Sequence, residues 1–240
     1  MRDTSKKINT IYNLIILDES GSMHGLEKMS VDGVNETIQT IKSAAEANPE
    51  QKQMFSFLTF PGMGPNERPY RVHTLLSEIS QVKEISLNDY QPRGNTPLWD
   101  TMGIALHTLE KEVGEDAIAL VTVITDGYEN ASREYTGKMI KDLVSRLDEK
   151  GWVFTYIGAN QDAMLEAGKL GIRNSLNFDA DEEGTKRMWM KEKESRQIFY
   201  SKACRDMSSS ENLKENYFDK GEFDNRWKSP VRVTPEAQCR

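Results

Sequence analysis

The amino-acid sequence predicts an α/β fold: a doubly wound, mainly parallel central sheet flanked by helices, with one antiparallel edge strand. Two observations indicate this fold. Short apolar segments rich in β-branched or aromatic residues alternate along the chain with longer segments whose apolar residues recur at helical spacing. The short segments are almost continuously apolar, which is typical of parallel strands that are buried on both faces of a sheet.

Four of the short apolar segments are predicted to be buried strands. They are residues 11–17, 54–60, 117–125 and 152–159. A fifth segment, residues 68–75, alternates between polar and apolar positions and follows a turn rich in proline and glycine. We therefore expect residues 68–75 to form a hairpin with the strand before them and to lie at an edge of the sheet.

The predicted helices carry apolar residues at intervals of three or four, and each ends near a proline or a glycine. They are centred on residues 34–45, 98–113, 140–147 and 163–170. Because the first three are long enough to cross a sheet and lie between predicted strands, they favour crossover connections between parallel strands.

The composition of the chain divides its 240 residues into three parts. Residues 8–180 carry the strand and helix alternation and are predicted to form one domain. Residues 181–207 are rich in Glu, Lys and Arg and predict a charged helical extension that covers the domain edge. Residues 208–240 form a polar tail with more aromatic residues than a free linker needs, so both docking and disorder stay open for this tail.

Charge and cysteine content bound the function classes. The formal net charge of −7 gives no electrostatic reason to expect binding to nucleic acid or to an anionic membrane. The only two cysteines, Cys204 and Cys239, fit a reducing compartment better than a disulfide framework. The first apolar run is too short to cross a bilayer and does not resemble a signal peptide. We therefore expect a cytoplasmic protein.

The first predicted strand runs into a loop rich in oxygen donors, Asp18-Glu19-Ser20-Gly21-Ser22. Ligands of open α/β sheets collect at the carboxyl ends of the strands, which is where this loop lies. Asp18, Ser20 and Ser22 offer a carboxylate and two hydroxyls at alternating positions, and Gly21 allows a tight turn between them. Without His or Cys, these donors favour Mg²⁺, Mn²⁺ or Ca²⁺ over Zn²⁺.

Two further segments offer oxygen donors near predicted strand or helix ends. The strand at residues 117–125 is followed by Asp126 and Gly127, so a second carboxylate lies at a strand end. Thr96 precedes Pro97 at the start of a predicted helix. Thr96 therefore has two interpretations: a helix cap with proline in the first turn, or an oxygen ligand.

Together the three segments resemble the metal-ion-dependent adhesion site of the von Willebrand factor type A domain family, which includes integrin inserted domains. That site is written Asp-x-Ser-x-Ser on a first loop, Thr on a second and Asp on a third, and this sequence has them in that order. The resemblance covers about residues 8–180 and implies a Rossmann-like fold. It also implies that Mg²⁺, with Mn²⁺ or Ca²⁺ as alternatives, is bound by a five-residue set: Asp18, Ser20, Ser22, Thr96 and Asp126.

The resemblance implies a protein-binding module rather than an enzyme. A dication held by only two carboxylates stays electrophilic, and an open coordination position would accept an Asp or Glu carboxylate of a partner protein. Loop residues beside the ligands are expected to form the partner-binding rim: Glu19, His24, Arg93, Asn95, Tyr128 and Asn130.

Two other functions stay open at this point. A metal-dependent hydrolase or phosphoryl-transfer enzyme could use Asp18, as haloacid dehalogenases use an Asp at the end of their first strand. Those enzymes place a second Asp two residues on as general acid, whereas this chain has Ser20 there, with only His24 nearby as a base. Neither a P-loop nor a Gly-x-Ser-x-Gly motif occurs. The third possibility is a domain in which the metal only stabilises the structure.

Overall fold

Six strands form one sheet in the computed structural model, which describes residues 8–61, 68–159, 163–205, 213–214 and 216–218. The strands are β1 (Thr10–Asp18), β2 (Lys52–Phe60), β3 (Arg71–Glu78), β4 (Ala117–Thr125), β5 (Val153–Ala159) and β6 (Asn174–Phe178). Their order across the sheet is β3-β2-β1-β4-β5-β6, and every neighbouring pair is parallel except β2 and β3. The predicted fold class, including its antiparallel edge strand, is confirmed.

Five α-helices pack on the two faces of this sheet within the described part of the chain. They are α1 (Glu27–Ala47), α2 (Leu98–Glu110), α3 (Gly137–Glu149), α4 (Ala163–Lys169) and α5 (Glu182–Arg205). Successive residues of β1 point to opposite faces. Ile11 and Ile15 pack in the core shared with α1 and α5, whereas Leu14 and Ile16 pack in the core shared with α2, α3 and α4. Helices on both faces make the sheet doubly wound, as predicted.

Strand β6 is absent from the sequence prediction. It pairs only with β5 and is partly exposed along most of its length. Polar side chains are tolerated at such an edge, and three of its five residues are Asn174, Ser175 and Asn177. The continuous apolar pattern that marks the central strands is therefore missing.

The predicted charged extension forms a single helix, α5, whose apolar side chains enter the main core. Met188, Trp189, Phe199 and Tyr200 are buried there beside α1 and β1. The division of the chain at residue 180 stays a prediction, and the helix beyond it packs with the elements before it. No helix in the described residues, α5 included, is long and apolar enough to span a membrane.

A buried ion pair joins α5 to the two central strands. Arg196 and Glu192 are 0% and 1% exposed, and the Arg196 guanidinium donates to Glu192 Oε1 at 2.7 Å. The same guanidinium donates to Asn13 Oδ1 of β1 at 3.1 Å and to Thr122 Oγ1 of β4 at 2.9 Å. The hydroxyl of Tyr217 donates to Glu192 Oε1 at 3.1 Å. These hydrogen bonds offset part of the cost of removing both charges from water, while Glu192 Oε2 is buried without a hydrogen-bond partner among the described residues.

The described residues of the polar tail are docked. Leu213, Tyr217 and Phe218 are buried in the core that contains α5. The backbone N–H of Tyr217 donates to the side-chain oxygen of Asn174, the first residue of β6, at 3.2 Å. The two alternatives for the tail as a whole, docking and disorder, stay predictions, because residues 206–212, 215 and 219–240 lie outside the described residues.

Candidate metal centre

The predicted site lies where the sheet connections diverge. Strands β1 and β4 are neighbours in the middle of the sheet, and the chain leaves them in opposite directions, toward β2 and toward β5. Such a switch point leaves a crevice at the carboxyl ends of the two strands. Asp18 is the last residue of β1, and Asp126 directly follows the last residue of β4. Because Leu17 pairs with Ile124, the two carboxylates leave neighbouring strands at the same level.

Asp18 is fully buried and held at both carboxylate oxygens. Oδ1 accepts the backbone N–H of Ser20 at 2.7 Å, and Oδ2 accepts the hydroxyl of Thr125 at 2.5 Å. Burial, with a smaller contribution from the nearby charge of Asp126, raises the pKa of Asp18 to about 6 despite the hydrogen bonds from Thr125 and Ser20. A cation at this position would remove that penalty on the charged form.

The first and third loops meet through their side chains. The hydroxyl oxygens of Ser20 and Ser22 are 3.1 Å apart, and the Ser22 hydroxyl donates to Asp126 Oδ1 at 2.7 Å. Burial also raises the pKa of Asp126, which is half-buried. Four of the five predicted ligands therefore lie in one hydrogen-bonded group around two carboxylates.

Gly127 marks the point on which all three loops converge. A Cβ at this position would lie 3.3 Å from Thr96 Oγ1, 3.8 Å from Ser22 Oγ and 3.9 Å from Asp18 Oδ2. The remaining two predicted ligands, Ser20 and Asp126, are both hydrogen-bonded to Ser22. All five predicted ligands thus come together, with oxygens from three of them within 4 Å of the position that a Cβ on Gly127 would occupy.

Thr96 does not cap helix α2. The residue before the first turn of that helix is Pro97, and no side chain caps it there. The N–H of Trp99 in the first turn donates instead to Glu129 Oε2 at 2.9 Å. Thr96 exchanges two hydrogen bonds with Asn130, from its N–H to Oδ1 at 2.9 Å and from the Asn130 N–H to its carbonyl at 3.2 Å. The helix-cap interpretation is wrong, and the Thr96 hydroxyl faces the site.

Several residues that support the site were missed by the sequence reasoning. Thr125 orients Asp18, and its polar side chain at the end of an apolar strand is a signal that could have identified it. Glu129 accepts the N–H groups of Trp99 and Ser132, and Asp100 accepts three N–H groups from residues 133–135. These bonds hold the third loop against α2. The local sequence contains no sign of which loop carboxylates turn inward.

Five of the six predicted rim residues are exposed: His24, Arg93, Asn95, Tyr128 and Asn130. Tyr128 is the most prominent apolar member, with 58% of its surface exposed. The imidazole Nδ1 of His24 lies 3.1 Å from Glu27 Oε1. Exposure is compatible with partner contact, and the role of these five residues stays a prediction.

Glu19 is the exception, and its assignment to the rim is wrong. Its side chain is 0% exposed and cannot reach a partner surface. The carboxylate accepts hydrogen bonds from the Thr59 hydroxyl, the Arg71 guanidinium and the backbone N–H of Gln91. These three donors draw Glu19 inward, away from the surface.

The residues present fit a hard divalent cation. The donor set consists of two carboxylates and three hydroxyls, all of them oxygen donors. No group of three or more His, Cys, Asp or Glu side chains in the described ranges could hold a metal, so hydroxyl ligands are essential to a site here. In such a site Asp18 and Asp126 supply the negative charge, and Ser20, Ser22 and Thr96 supply neutral ligand positions.

Comparisons with known proteins agree with this architecture. The family model of the von Willebrand factor type A domain matches residues 14–189. No curated protein sequence matches the chain. Among solved structures, proximal thread matrix protein 1 of the mussel byssus is similar with a TM-score of 0.52 and 15% identity, covering 76% of this chain and 44% of that one. The pilus adhesin SpaC of Lactobacillus rhamnosus GG, in an open conformation, is similar with a TM-score of 0.58 and 10% identity, covering 82% and 31%.

The chain spans less than half the length of either of these two structures. At such low identity the likeness to them shows the fold alone. The family match carries more, because it runs from the middle of β1 to the start of α5 and includes the other five strands and the three loops that meet at Gly127. This chain belongs to the von Willebrand factor type A domain family.

Proposed function

We propose that this protein is a metal-dependent protein-binding module. In this proposal Mg²⁺ is held by Asp18, Ser20, Ser22, Thr96 and Asp126 and offers one coordination position to an Asp or Glu carboxylate of a partner protein. The observation that carries the proposal is the convergence of three loops and their oxygen donors at Gly127. Proteins of this family generally mediate protein–protein interactions, which supports a binding role.

In this proposal the ligand set leaves a coordination position for a further oxygen ligand. Asp18 and Asp126 neutralise a dication, and hydroxyl ligands fill further positions without adding charge. Mg²⁺ prefers six oxygen ligands and commonly retains several waters, one of which a partner carboxylate can replace. The carboxylate of Asp18 is already oriented by hydrogen bonds from Ser20 and Thr125. Asp18 would therefore need little rearrangement to bind the ion.

The surface around the site supports contact with a protein. Tyr128 is exposed beside Asp126, and tyrosine combines a large apolar ring with a polar tip that suits interfaces. Met164 and Leu165, in the first turn of α4, are 75% and 56% exposed. Since α4 follows β5, these side chains lie at the same edge of the sheet as the metal ligands. A partner that covers the metal would also cover apolar surface there.

The enzyme alternative lacks an activated nucleophile. Asp18 is fully buried and bonded at both oxygens, which removes it from direct attack on a substrate. His24 lies beside Glu27 rather than beside Ser20, so it does not act as a base for that hydroxyl. We therefore propose a binding module rather than a hydrolase. A metal that only stabilises the fold differs from this proposal in one respect: partner binding would not require the metal.

A capture experiment separates these functions. The protein is immobilised, and the proteins it retains are compared in Mg²⁺ and in chelator for the wild type and Asp126→Ala. Asp142→Ala is the matched control, because Asp142 is an exposed aspartate that pairs with Lys138 on the same helix, α3. We expect one retained partner that requires both Mg²⁺ and Asp126 and is unaffected by the control substitution.

Two outcomes would contradict the binding proposal. Equal retention of the partner in chelator would show that the metal does not mediate the contact. Hydrolysis of p-nitrophenyl phosphate that depends on Mg²⁺ and disappears in Asp18→Asn would favour the enzyme alternative. Circular dichroism of each variant checks that the fold persists.

A further inference from the structure

A buried carboxylate that is not among the proposed ligands lies in the middle of the first metal loop. Glu19 stands between Asp18 and Ser20 and is 0% exposed. Its Oε1 accepts the backbone N–H of Gln91 at 2.7 Å and the Arg71 guanidinium at 3.0 Å. Its Oε2 accepts the Thr59 hydroxyl at 2.5 Å. Three donors from distant parts of the chain therefore occupy both oxygens.

The backbone beside Glu19 is joined to the same part of the second loop. The N–H of Arg93 donates to the Glu19 carbonyl at 2.7 Å, and the N–H of Gly21 donates to the Gly94 carbonyl at 3.1 Å. Gly94 precedes the proposed ligand Thr96 by two residues. The side chain and the carbonyl of Glu19 thus both hold the segment that presents the Thr96 hydroxyl.

The donors on Glu19 also connect this contact to the edge of the sheet. Thr59 is the penultimate residue of β2, and Arg71 begins β3. The Thr59 hydroxyl has one proton, which it donates to Glu19, so His73 Nε2 at 2.9 Å must donate to the Thr59 oxygen. The β2–β3 hairpin is in this way part of the support for the metal loops.

We infer that Glu19 is a positioning residue that fixes the distance between the first and second metal loops. This inference rests on the proposed function, because its consequence is measured at the metal. Glu19 neither binds the ion nor contacts the partner. It acts through its hydrogen bonds with the backbone of Gln91 and Arg93. These bonds fix the position of the segment that places the Thr96 hydroxyl beside Asp18. Groups that orient metal ligands commonly change metal affinity about 10–100-fold when they are removed.

The chemistry of the contact predicts a graded response to substitution. In Glu19→Ala the three donors lose their acceptor, and the segment that leads to Thr96 is released. In Glu19→Gln the volume and one carbonyl oxygen persist, so Gln91 keeps an acceptor. The amide nitrogen of the new side chain then faces a donor where the carboxylate offered an acceptor. We expect Glu19→Gln to behave between the wild type and Glu19→Ala.

Calorimetric titration with MnCl₂ and hydrogen exchange of the metal-free protein test this inference together. Glu19→Ala is expected to raise the Mn²⁺ dissociation constant at least about tenfold. It is also expected to accelerate amide exchange over residues 90–96 before any metal is added. The matched control is Glu84→Ala, because Glu84 is an exposed glutamate that bonds to Gln39 away from the loops. This control should leave both measurements at the wild-type level.

The outcomes distinguish this inference from the proposed function. Unchanged Mn²⁺ affinity and unchanged exchange over residues 90–96 in folded Glu19→Ala would overturn the positioning role. Faster exchange spread evenly over the whole chain would overturn it too, in favour of a general structural role. If Glu19→Ala does not fold, Glu19→Gln decides by the same two measurements. A wild type that binds no Mn²⁺ would contradict the proposed function, while exchange in the metal-free protein would still decide the positioning of the second loop.

Discussion

Trp189 of α5 lies directly over Gly33 of α1: a Cβ placed on Gly33 would come within 2.1 Å of the indole ring. The ring is rigid and 95% buried, so it has no free direction in which to move. The two helices can approach each other at this position because α1 carries no side chain there. This contact, rather than helix propensity, explains a glycine in the interior of α1.

Gly33→Ala is therefore expected to destabilise the protein, although alanine is the better helix former by about 1 kcal/mol. Overpacking against the Trp189 ring should lower the free energy of unfolding by about 1–3 kcal/mol. Urea denaturation measures the change. Gly168→Ala in α4 is the matched control, because a Cβ at that position would meet no atom within 4 Å in the described residues, apart from its chain neighbours and its own helix backbone. This control should be neutral or stabilising, and an equal loss in both variants would contradict the packing argument.

The buried pair of Arg196 and Glu192 predicts a large cost for losing one partner. Arg196→Met leaves the Glu192 carboxylate buried without its counter-charge, which should lower the free energy of unfolding by about 3–5 kcal/mol. Lys193→Ala, one turn away, removes only an exposed contact with Glu36 and should cost less than about 1 kcal/mol. Replacing both Glu192 and Arg196 by apolar residues should cost less than the sum of the two single changes. A small effect of Arg196→Met would show that water reaches Glu192.

His73 predicts a dependence of stability on pH. Burial lowers the pKa of His73 from 6.5 to about 4, and the neighbouring Arg71 charge adds to this effect. Between these two values the unfolded chain binds more protons at this residue than the folded chain does. The free energy of unfolding should therefore fall as the pH is lowered from about 6.5 to about 4.

His73→Phe should lose this part of the pH dependence, because it removes the titrating group. The measurement is the difference in unfolding free energy between wild type and variant at several pH values. His107→Gln, a change at a half-exposed histidine on α2, should retain the slope that His73 causes. An identical slope in His73→Phe and wild type would show that another group is responsible.

Thr125 predicts a specific weakening of the proposed metal site. Thr125→Val keeps the shape but removes the hydroxyl that donates to Asp18 Oδ2. If Mg²⁺ at about 100 times its dissociation constant stabilises the wild type by about 2.7 kcal/mol, a tenfold weaker variant gains about 1.4 kcal/mol at the same concentration. Thr155→Val is the matched control, since Thr155 is also fully buried but donates to the carbonyl of Val121. Equal stabilisation of the two variants by Mg²⁺ would contradict a role for Thr125.

The central strands were predictable because their burial on both faces leaves almost no polar position. Residues 117–125 coincide with β4, and residues 11–17 differ from β1 by one residue at each end. Strand β6 escaped prediction because an edge position permits Asn174 and Asn177. The periodicity and hydrophobicity of the sequence thus identify buried strands more readily than partly exposed ones.

Helix α5 was predicted as a charged cover, and its charges concealed a buried face. Glu192 and Arg196 are spaced four residues apart, which is also the spacing of an exposed helical ion pair. Only the tertiary structure shows that Asn13 and Thr122 accept hydrogen bonds from the Arg196 guanidinium inside the core. Sequence alone does not separate a buried pair from a surface pair.

The candidate ligands were predictable because each lies next to a recognisable local pattern, a strand end or a helix start. Glu19 was assigned wrongly because its partners are remote: Thr59, Arg71 and Gln91 lie 40, 52 and 72 residues along the chain. No periodicity links such positions. Candidate ligands can thus be predicted from local sequence patterns, whereas the residues that hold those candidates in place depend on the whole fold.

The contact between Tyr217 and Glu192 bears on how the chain folds while it is being synthesised. Leu213, Tyr217 and Phe218 belong to the same hydrophobic core as the apolar residues of α1 and α5. During translation at roughly 5–20 residues per second, the interval between residue 180 and residue 218 lasts roughly 2–8 seconds. Throughout that interval the strands of the sheet have been synthesised, but the apolar side chains that α5 and the tail contribute to this core are still missing. We expect the nascent chain to expose, over this window, the part of its core that α5 later covers.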